Sequence, residues 1–278
     1  MEIIPIQTGT VRIHPNQVRG KGHGSKRRLN VFRDKEWTRP LPILAWLIRH
    51  PEGDILVDTG ETPQAMMRGY YPNLNPYYRS HIRVEIGPEE ELGAQLRRLG
   101  VDPAALRTVL TTHLHTDHAG GLSALANAEV WTHERELALS RGLGGWIRGY
   151  VAKSFPRGFA PRTYTFTGGP VGPFARSHVV TRAGDVHVVE TAGHTDGHCS
   201  VIVTANDTTY FIAGDATYDE ASLLDLAVDG LSPHEDRALA TLKRIADLAG
   251  STRVVYLPTH DEHAIRRLRD GVPTRVRA

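Results

Sequence analysis

The chain of 278 residues has one cysteine, Cys199, which excludes an intrachain disulfide and any metal site built from several thiolates. No apolar run approaches the roughly 20 residues that span a bilayer, so no membrane partner is expected. The opening residues, MEIIPIQTGTVRIHPNQ, lack the basic start, apolar core and small-residue cleavage site of a secretory signal. A cytoplasmic protein is expected. Net charge is also scarce: 33 Lys and Arg against 31 Asp and Glu leave +2, too little to suggest a nucleic-acid partner. What is there is ordinary globular material, 40% hydrophobic and 23% charged, which excludes wholesale disorder. No linker divides the chain, and a single domain over residues 1–278 is expected. One local run, residues 19–28, is basic and glycine-rich; lacking a preceding strand and a closing Gly-Lys-Ser/Thr, it reads as a solvated mobile loop rather than a phosphate cradle. The surplus is in histidine, of which there are fifteen.

Short β-type runs rich in Ile, Leu and Val come first, at residues 2–7, 42–49 and 54–57. An irregular aromatic stretch follows at 61–85, long enough to read as a lid or binding loop. Proline at the first position and leucines on one face predict a helix over 88–99. A strand over 107–112 is expected next, then a strand at 129–132 and a helix at 133–141. Residues 142–172 are loose and aromatic, a second candidate lid, and from 178 the pattern returns to strands. Ser232-Pro233-His234-Glu235 reads as a serine-capped helix start, the helix running to about 249. A last strand at 253–257 and a helix at 261–269 close the chain at Gly271. Alternation at both ends of a long β stretch suggests two sheets with helices outside.

The decisive segment is His113-Leu114-His115-Thr116-Asp117-His118, directly after an apolar strand and before two glycines. His113 and His115, two apart at an extended strand end, point the same way, and a turn after them brings Asp117 and His118 to a neighbouring position. Imidazole and carboxylate together suit zinc or another borderline divalent metal. Four such side chains exceed what one tetrahedral ion takes if it keeps an open position, so two metals are expected. Further ligands should lie at other strand ends. His194, Asp215 and His260 each stand one to a few positions beyond a β-run, beside Gly or Pro.

With these pieces the chain resembles the metallo-β-lactamase-fold hydrolases: LVDTG around Asp58, HLHTDH, GHTDGH with His194, GDATY with Asp215 and LPTH with His260, in that order. The resemblance spans roughly residues 41–268 and implies an αββα four-layer sandwich of two mixed β-sheets flanked by helices. It assigns His113, His115 and His194 to one metal, Asp117, His118 and His260 to the other, and makes Asp215 the bridge, with a shared hydroxide as nucleophile. The ions are expected to be Zn2+, with Fe, Co or Mn as alternatives. Read on its own, Asp58 either caps the turn at Thr59-Gly60 or backs a ligand histidine; the resemblance favours the second. His198 reads equally as a turn histidine or a functional one, and His133, His178, His187 and His263 as surface or packing.

Tyr218, three residues after Asp215, is similar to the tyrosine of the N-acyl-homoserine lactone lactonases, the quorum-quenching branch, where the phenol points at the substrate carbonyl. Otherwise it is a buried tyrosine. The resemblance implies a small-molecule lactone substrate, Asp117 passing a proton to the departing alkoxide, and a homodimer with residues 18–37 reaching across. Trp146, Tyr150 and Phe155 are candidates for an acyl-chain wall or, equally, for packing. A glyoxalase II-like thioesterase would use the same ligands but should carry a basic C-terminal region, which 266–277 matches loosely. A phosphodiesterase would want a more basic surface. A mononuclear iron oxidoreductase is disfavoured by the complete second ligand set, and a non-catalytic metal-binding module by the open dinuclear arrangement.

Overall fold

The computed structural model describes residues 1–276, so positions 277 and 278 of the expected 1–278 domain, and position 277 of the basic stretch 266–277, lie outside the described residues. The chain forms two compact units, each with its own sheet and core. The first comprises Met1–Ile13 and Thr38–Tyr164, the second His14–Trp37 and the chain from Thr165 onward.

The first unit carries seven strands: β1 (Glu2–Arg12), β2 (Leu41–Arg49), β3 (Ile55–Val57), β4 (Arg83–Glu85), β5 (Thr108–Leu110), β6 (Glu129–His133) and β7 (Arg162–Tyr164). Their order is β4-β1-β2-β3-β5-β6-β7. The side of β4 to β3 is antiparallel, whereas β3, β5, β6 and β7 run parallel. Ile43 to Ile48 are all buried, the continuous apolar run of a strand covered on both faces. β1 runs to Arg12, beyond the expected end at Gln7. A register shift between Gln7 and Thr10, at Gly9 with φ +92°, bends the strand into its pairing with β4 rather than ending it. Leu92 and Leu96 of the helix Leu92–Arg98 pack with Leu56, Val109 and Leu122 in the core.

The expected loops are shorter-jointed than read. Residues 61–85 contain a turn of 3-10 helix (Pro63–Met66), the helix Pro76–Ser80 and β4, while 142–172 contain the helix Gly142–Ile147 and the edge strand β7. Both sets are brief and contact-dependent, which hides them from a window-based reading.

The second unit carries β8 (Ser177–Val179), β9 (Val186–Glu190), β10 (Cys199–Ala205), β11 (Thr208–Gly214) and β12 (Val254–Pro258), in the order β12-β11-β10-β9-β8. Only β11 and β12 are parallel. β10 and β11 join through Asn206 and Asp207, both exposed and left-handed at φ +47° and +59°, the pair of a tight hairpin turn. The long helix Glu235–Ser251 buries Leu242, Ile245 and Leu248 against Phe174, Phe211 and Tyr256.

Two expectations fail here. Ser232 does not cap that helix: its first residue is Glu235, its cap position is His234, and the Ser232 hydroxyl donates to Asp229 instead. The buried carboxylate outcompetes the helix end for the hydroxyl. Nor is 19–28 simply a solvated loop. It enters the helix Gly24–Arg33, and Arg27 is 2% exposed, donating to the carbonyl oxygens of Asp229 and, at 2.8 Å, Ser232. Arg27's apolar stem lets it cross a buried surface and satisfy two carbonyls. Among the described residues no helix is long and apolar enough to cross a membrane.

Candidate metal centre

Strand direction decides where ligand-type side chains can gather. In the first unit β3 and β5 are parallel neighbours, so Asp58 after β3 and the segment 111–118 after β5 leave the same sheet edge. In the second unit β9 and β11 are both antiparallel to β10, and β12 is parallel to β11. His194 after β9, Asp215 after β11 and His260 after β12 therefore also leave one edge. This is the C-terminal strand edge at which open α/β sheets place their chemistry.

The first unit holds His113, His115, Asp117 and His118 within six residues. The strand ends at Leu110, so His113 stands on irregular backbone beyond it, and Asp117 and His118 lie on the short helix Thr116–Ala119. His113 Nε2 and His115 Nδ1 are 3.1 Å apart. Two nitrogens bound to one tetrahedral zinc at 2.0–2.1 Å stand about 3.3 Å apart, so this pair fits a shared ion. His118 Nε2 is 3.9 Å from Asp117 Oδ1. The opposite ring nitrogens are anchored. His118 Nδ1 donates to Asp58 Oδ2 at 2.8 Å, and His115 Nε2 donates to the Arg148 carbonyl at 3.1 Å. Each anchor fixes the tautomer and leaves the lone pair on the other nitrogen, the usual support for a metal-ligating histidine.

Asp58 is itself held, accepting from the Thr112 amide at 2.7 Å and its hydroxyl at 2.8 Å. It sits at φ +59°, a conformation aspartate tolerates. Gly60 follows at φ +65°, and a Cβ there would meet Thr8 Oγ1 at 1.8 Å. The turn is thus built around Asp58.

In the second unit the two carboxylate oxygens of Asp215 face different histidines: Oδ2 is 3.6 Å from His194 Nε2, and Oδ1 is 3.5 Å from His260 Nε2. The ring of Tyr218 stacks on His260 with centroids 5.3 Å apart and meets His194 edge-on at 6.3 Å.

Several residues support these side chains: His198, which the sequence left open between a turn and a functional role, and Asp229, Glu136 and Glu61, which it did not single out. His198 is buried, and its Nε2 accepts from the Asp215 amide at 3.0 Å while Nδ1 lies 2.9 Å from the Thr191 hydroxyl, so it fixes the backbone of Asp215. Asp229 Oδ2 is 3.8 Å from His194 Nδ1. Burial pushes the Asp229 carboxyl up, but the facing His194 imidazole and hydrogen bonds from Ser232 and the Leu231 amide outweigh it and hold the group below its ordinary value. A signal for it existed: an aspartate followed by Gly230 and, three residues on, Ser232 is an Asx-type turn. Glu136 accepts from the Leu114 amide at 2.9 Å and the Tyr150 hydroxyl at 2.7 Å, tying down the histidine segment. Glu61, fully buried, accepts from the hydroxyls of Tyr70 at 3.2 Å and Tyr71 at 3.1 Å. Burial raises its carboxyl to about 7.

The aromatic candidates separate. Tyr150 lies in the core with its ring 5.0 Å from that of His115, Phe155 packs on the same core and stacks on Phe159, and Trp146 is half-buried. Tyr78 of the 61–85 stretch donates to the Gly149 carbonyl, next to the carbonyl that anchors His115.

Comparison with known proteins gives the arrangement its context. The Metallo-beta-lactamase superfamily profile matches residues 38–260. The chain is similar to the N-acyl homoserine lactonase AttM of Azorhizobium caulinodans, 26% identical over 231 residues, 81% of this chain and 83% of that one. Among solved structures, an N-acyl homoserine lactone hydrolase with its product N-hexanoyl-L-homoserine at the catalytic metal center matches with a TM-score of 0.75 at 21% identity, covering 95% of each chain. AidC, a dizinc quorum-quenching lactonase, matches at 0.62 and 14% identity over 94% of this chain and 87% of that one. Likeness at such identities shows a shared fold, two mixed sheets flanked by helices, as the motifs led us to expect. The chain belongs to the metallo-beta-lactamase superfamily and is one of its hydrolases.

Proposed function

We propose that this protein opens the lactone ring of N-acyl-homoserine lactones, and that it does so as a dinuclear metal enzyme. In this reading His113, His115 and His194 hold one divalent ion, Asp117, His118 and His260 the other, and Asp215 both. Zinc is the expected metal, because the donors are imidazole and carboxylate and the anchored tautomers present lone pairs to it. When bound, such ions polarise the ester carbonyl and lower the pKa of water from about 15.7 towards 7.

The chain's own residues do the rest. Tyr218 donates its phenolic proton to the carbonyl oxygen as charge develops there, a fixed donor of the oxyanion-hole kind. Asp117 would take up the proton that the attacking water gives up and hand it on to the departing alkoxide as the ring opens. Asp58 and Asp229 hold His118 and His194 in register. The observation that carries the reading is Tyr218: three residues beyond Asp215, its ring lies against both His194 and His260. The names of the relatives point to the same substrate. Of the acyl-chain candidates Trp146, Tyr150 and Phe155, Tyr150 packs in the core, and the half-buried Trp146 and Phe155 are assigned to the acyl chain. We take the protein to be cytoplasmic, to work as one domain, and to pair as a homodimer through residues 18–37, where Leu29 and Phe32 are 44% and 43% exposed.

Ring opening frees one acid, so proton release on adding an N-acyl-homoserine lactone to metal-replete protein tests the activity directly. Fast release that vanishes in Tyr218→Phe by about 10- to 1,000-fold is expected. No release from protein shown to hold two metals would discard the substrate. A dimer by light scattering and a single calorimetric transition are the accompanying expectations.

A further inference from the structure

The side chain that addresses Tyr218 comes from 201 residues earlier in the chain: Gln17 Nε2 donates to the Tyr218 phenolic oxygen at 2.9 Å. Both residues are almost wholly buried, at 3% and 4% exposure. We propose that Gln17 is a positioning residue that sets the direction of the Tyr218 hydroxyl and hence its strength as a donor to substrate; this rests on the role of Tyr218 given above.

The physical argument starts from the phenol, whose C–O bond lets the proton swing through the ring plane to whichever acceptor is nearest. An amide N–H aimed at the phenolic oxygen occupies one lone pair and offers no acceptor of its own. The hydroxyl proton is thereby turned away from Gln17. Accepting a hydrogen bond also polarises the O–H, so the phenol donates more strongly to the next group in the chain of bonds. A carboxylate at position 17 would do the reverse and draw the proton to itself.

The donor is held firmly enough to give direction. Gln17 sits on the helical turn Pro15–Val18, its amide donating to the His14 carbonyl at 2.8 Å. Its own carbonyl accepts from the Gly230 amide at 2.8 Å, and the Gly20 amide donates to the Val228 carbonyl at 2.9 Å. A Cβ at residue 230 would lie 2.2 Å from the Asn16 carbonyl oxygen, so only glycine allows this approach. Arg27 and Arg19 clamp the same segment, through the carbonyls of Asp229 and Ser232 and through Asp225. Residues 14–37 are therefore fastened to the stretch 218–235 on both sides of Gln17, and the amide has little freedom to look elsewhere.

The test uses the metal-loaded full chain with N-hexanoyl-L-homoserine lactone as probe. Gln17→Met keeps the volume and removes the donor. It should lower kcat by about 5- to 30-fold, the range of one lost buried hydrogen bond, with KM little changed. Gln17→Glu should fall at least as far as Tyr218→Phe. The pair Gln17→Met, Tyr218→Phe should be no slower than Tyr218→Phe alone, because the amide acts only through the phenol. Metal content and Tm should stay near those of the parent chain, and the Raman tyrosine doublet of Tyr218, isolated by subtracting Tyr218→Phe, should change in Gln17→Met. Unchanged kcat in Gln17→Met beside a slow Tyr218→Phe would overturn the proposal and leave the role of Tyr218 standing. Additive losses in the pair, or an unmoved Raman doublet, would overturn it too. A Tyr218→Phe enzyme as fast as the parent would remove the reading beneath it.

Discussion

The two units present the same kind of ligand-type side chains in different ways. The first packs His113, His115, Asp117 and His118 into one irregular stretch and one short helix, so their placement is local and cheap to specify. The second gathers His194, Asp215 and His260 from the ends of three separate strands, so their placement depends on the sheet being formed. The backing carboxylates differ in parallel: Asp58 meets His118 at 2.8 Å, whereas Asp229 lies 3.8 Å from His194. The contrast teaches that the dispersed set is the one whose order must come from tertiary structure.

The comparison can be broken most severely by removing the clustered pair. His113→Ala with His115→Ala should abolish lactone-driven proton release and lower bound metal, read by elemental analysis. Stripping the parent protein with a chelator should do the same reversibly and lower Tm, since whatever binds the folded state alone stabilises it. Next in size are the backing carboxylates. Asp58→Asn should weaken metal binding by about 100-fold and Asp229→Asn by about 10-fold, the two ends of the range for such partners, measured by chelator competition. Equal losses would show that the 2.8 and 3.8 Å contacts count alike.

A smaller effect is expected at His198. Removing it as His198→Ala takes from the buried Asp215 amide the acceptor it now uses, a cost of about 1–3 kcal/mol visible in denaturant unfolding. An effect of comparable size depends on pH. Glu61 keeps its proton in the folded state up to about 7, whereas the unfolded chain releases it near 4.5. Below 4.5 both states are protonated and nothing is lost; between the two values the unfolded state alone ionises, and stability falls by up to about 3 kcal/mol as pH rises. Glu61→Gln should therefore gain Tm over the parent at pH 8 and not at pH 4.

Much of this was legible beforehand, for a physical reason. Residues 41–57 and 186–214 spell their strands in β-branched and apolar residues, and HLHTDH announces a metal cluster because the donors are adjacent in the chain. What was hidden lives in long-range contacts made by residues with a more ordinary local reading. Arg27 looks like one cation of a basic run but is buried against two carbonyls. Ser232 looks like a helix cap, yet its hydroxyl serves Asp229. Gln17 has no local signal at all. Its meaning comes from a residue on the far side of the sequence, and no periodicity or turn chemistry reports that.

The hairpin turn at Asn206 and Asp207 has a practical side. It joins the C-terminal end of β10 to the start of β11, whereas Asp215 follows the other end of β11. Within the second unit the sheet therefore has a working margin and an idle one, with a strand's length of backbone between them. Exposed and closed by only two residues, the idle margin is where a tether, a fluorophore or a surface anchor could be spliced in. An immobilised enzyme made that way would keep its reactive edge turned to the solution.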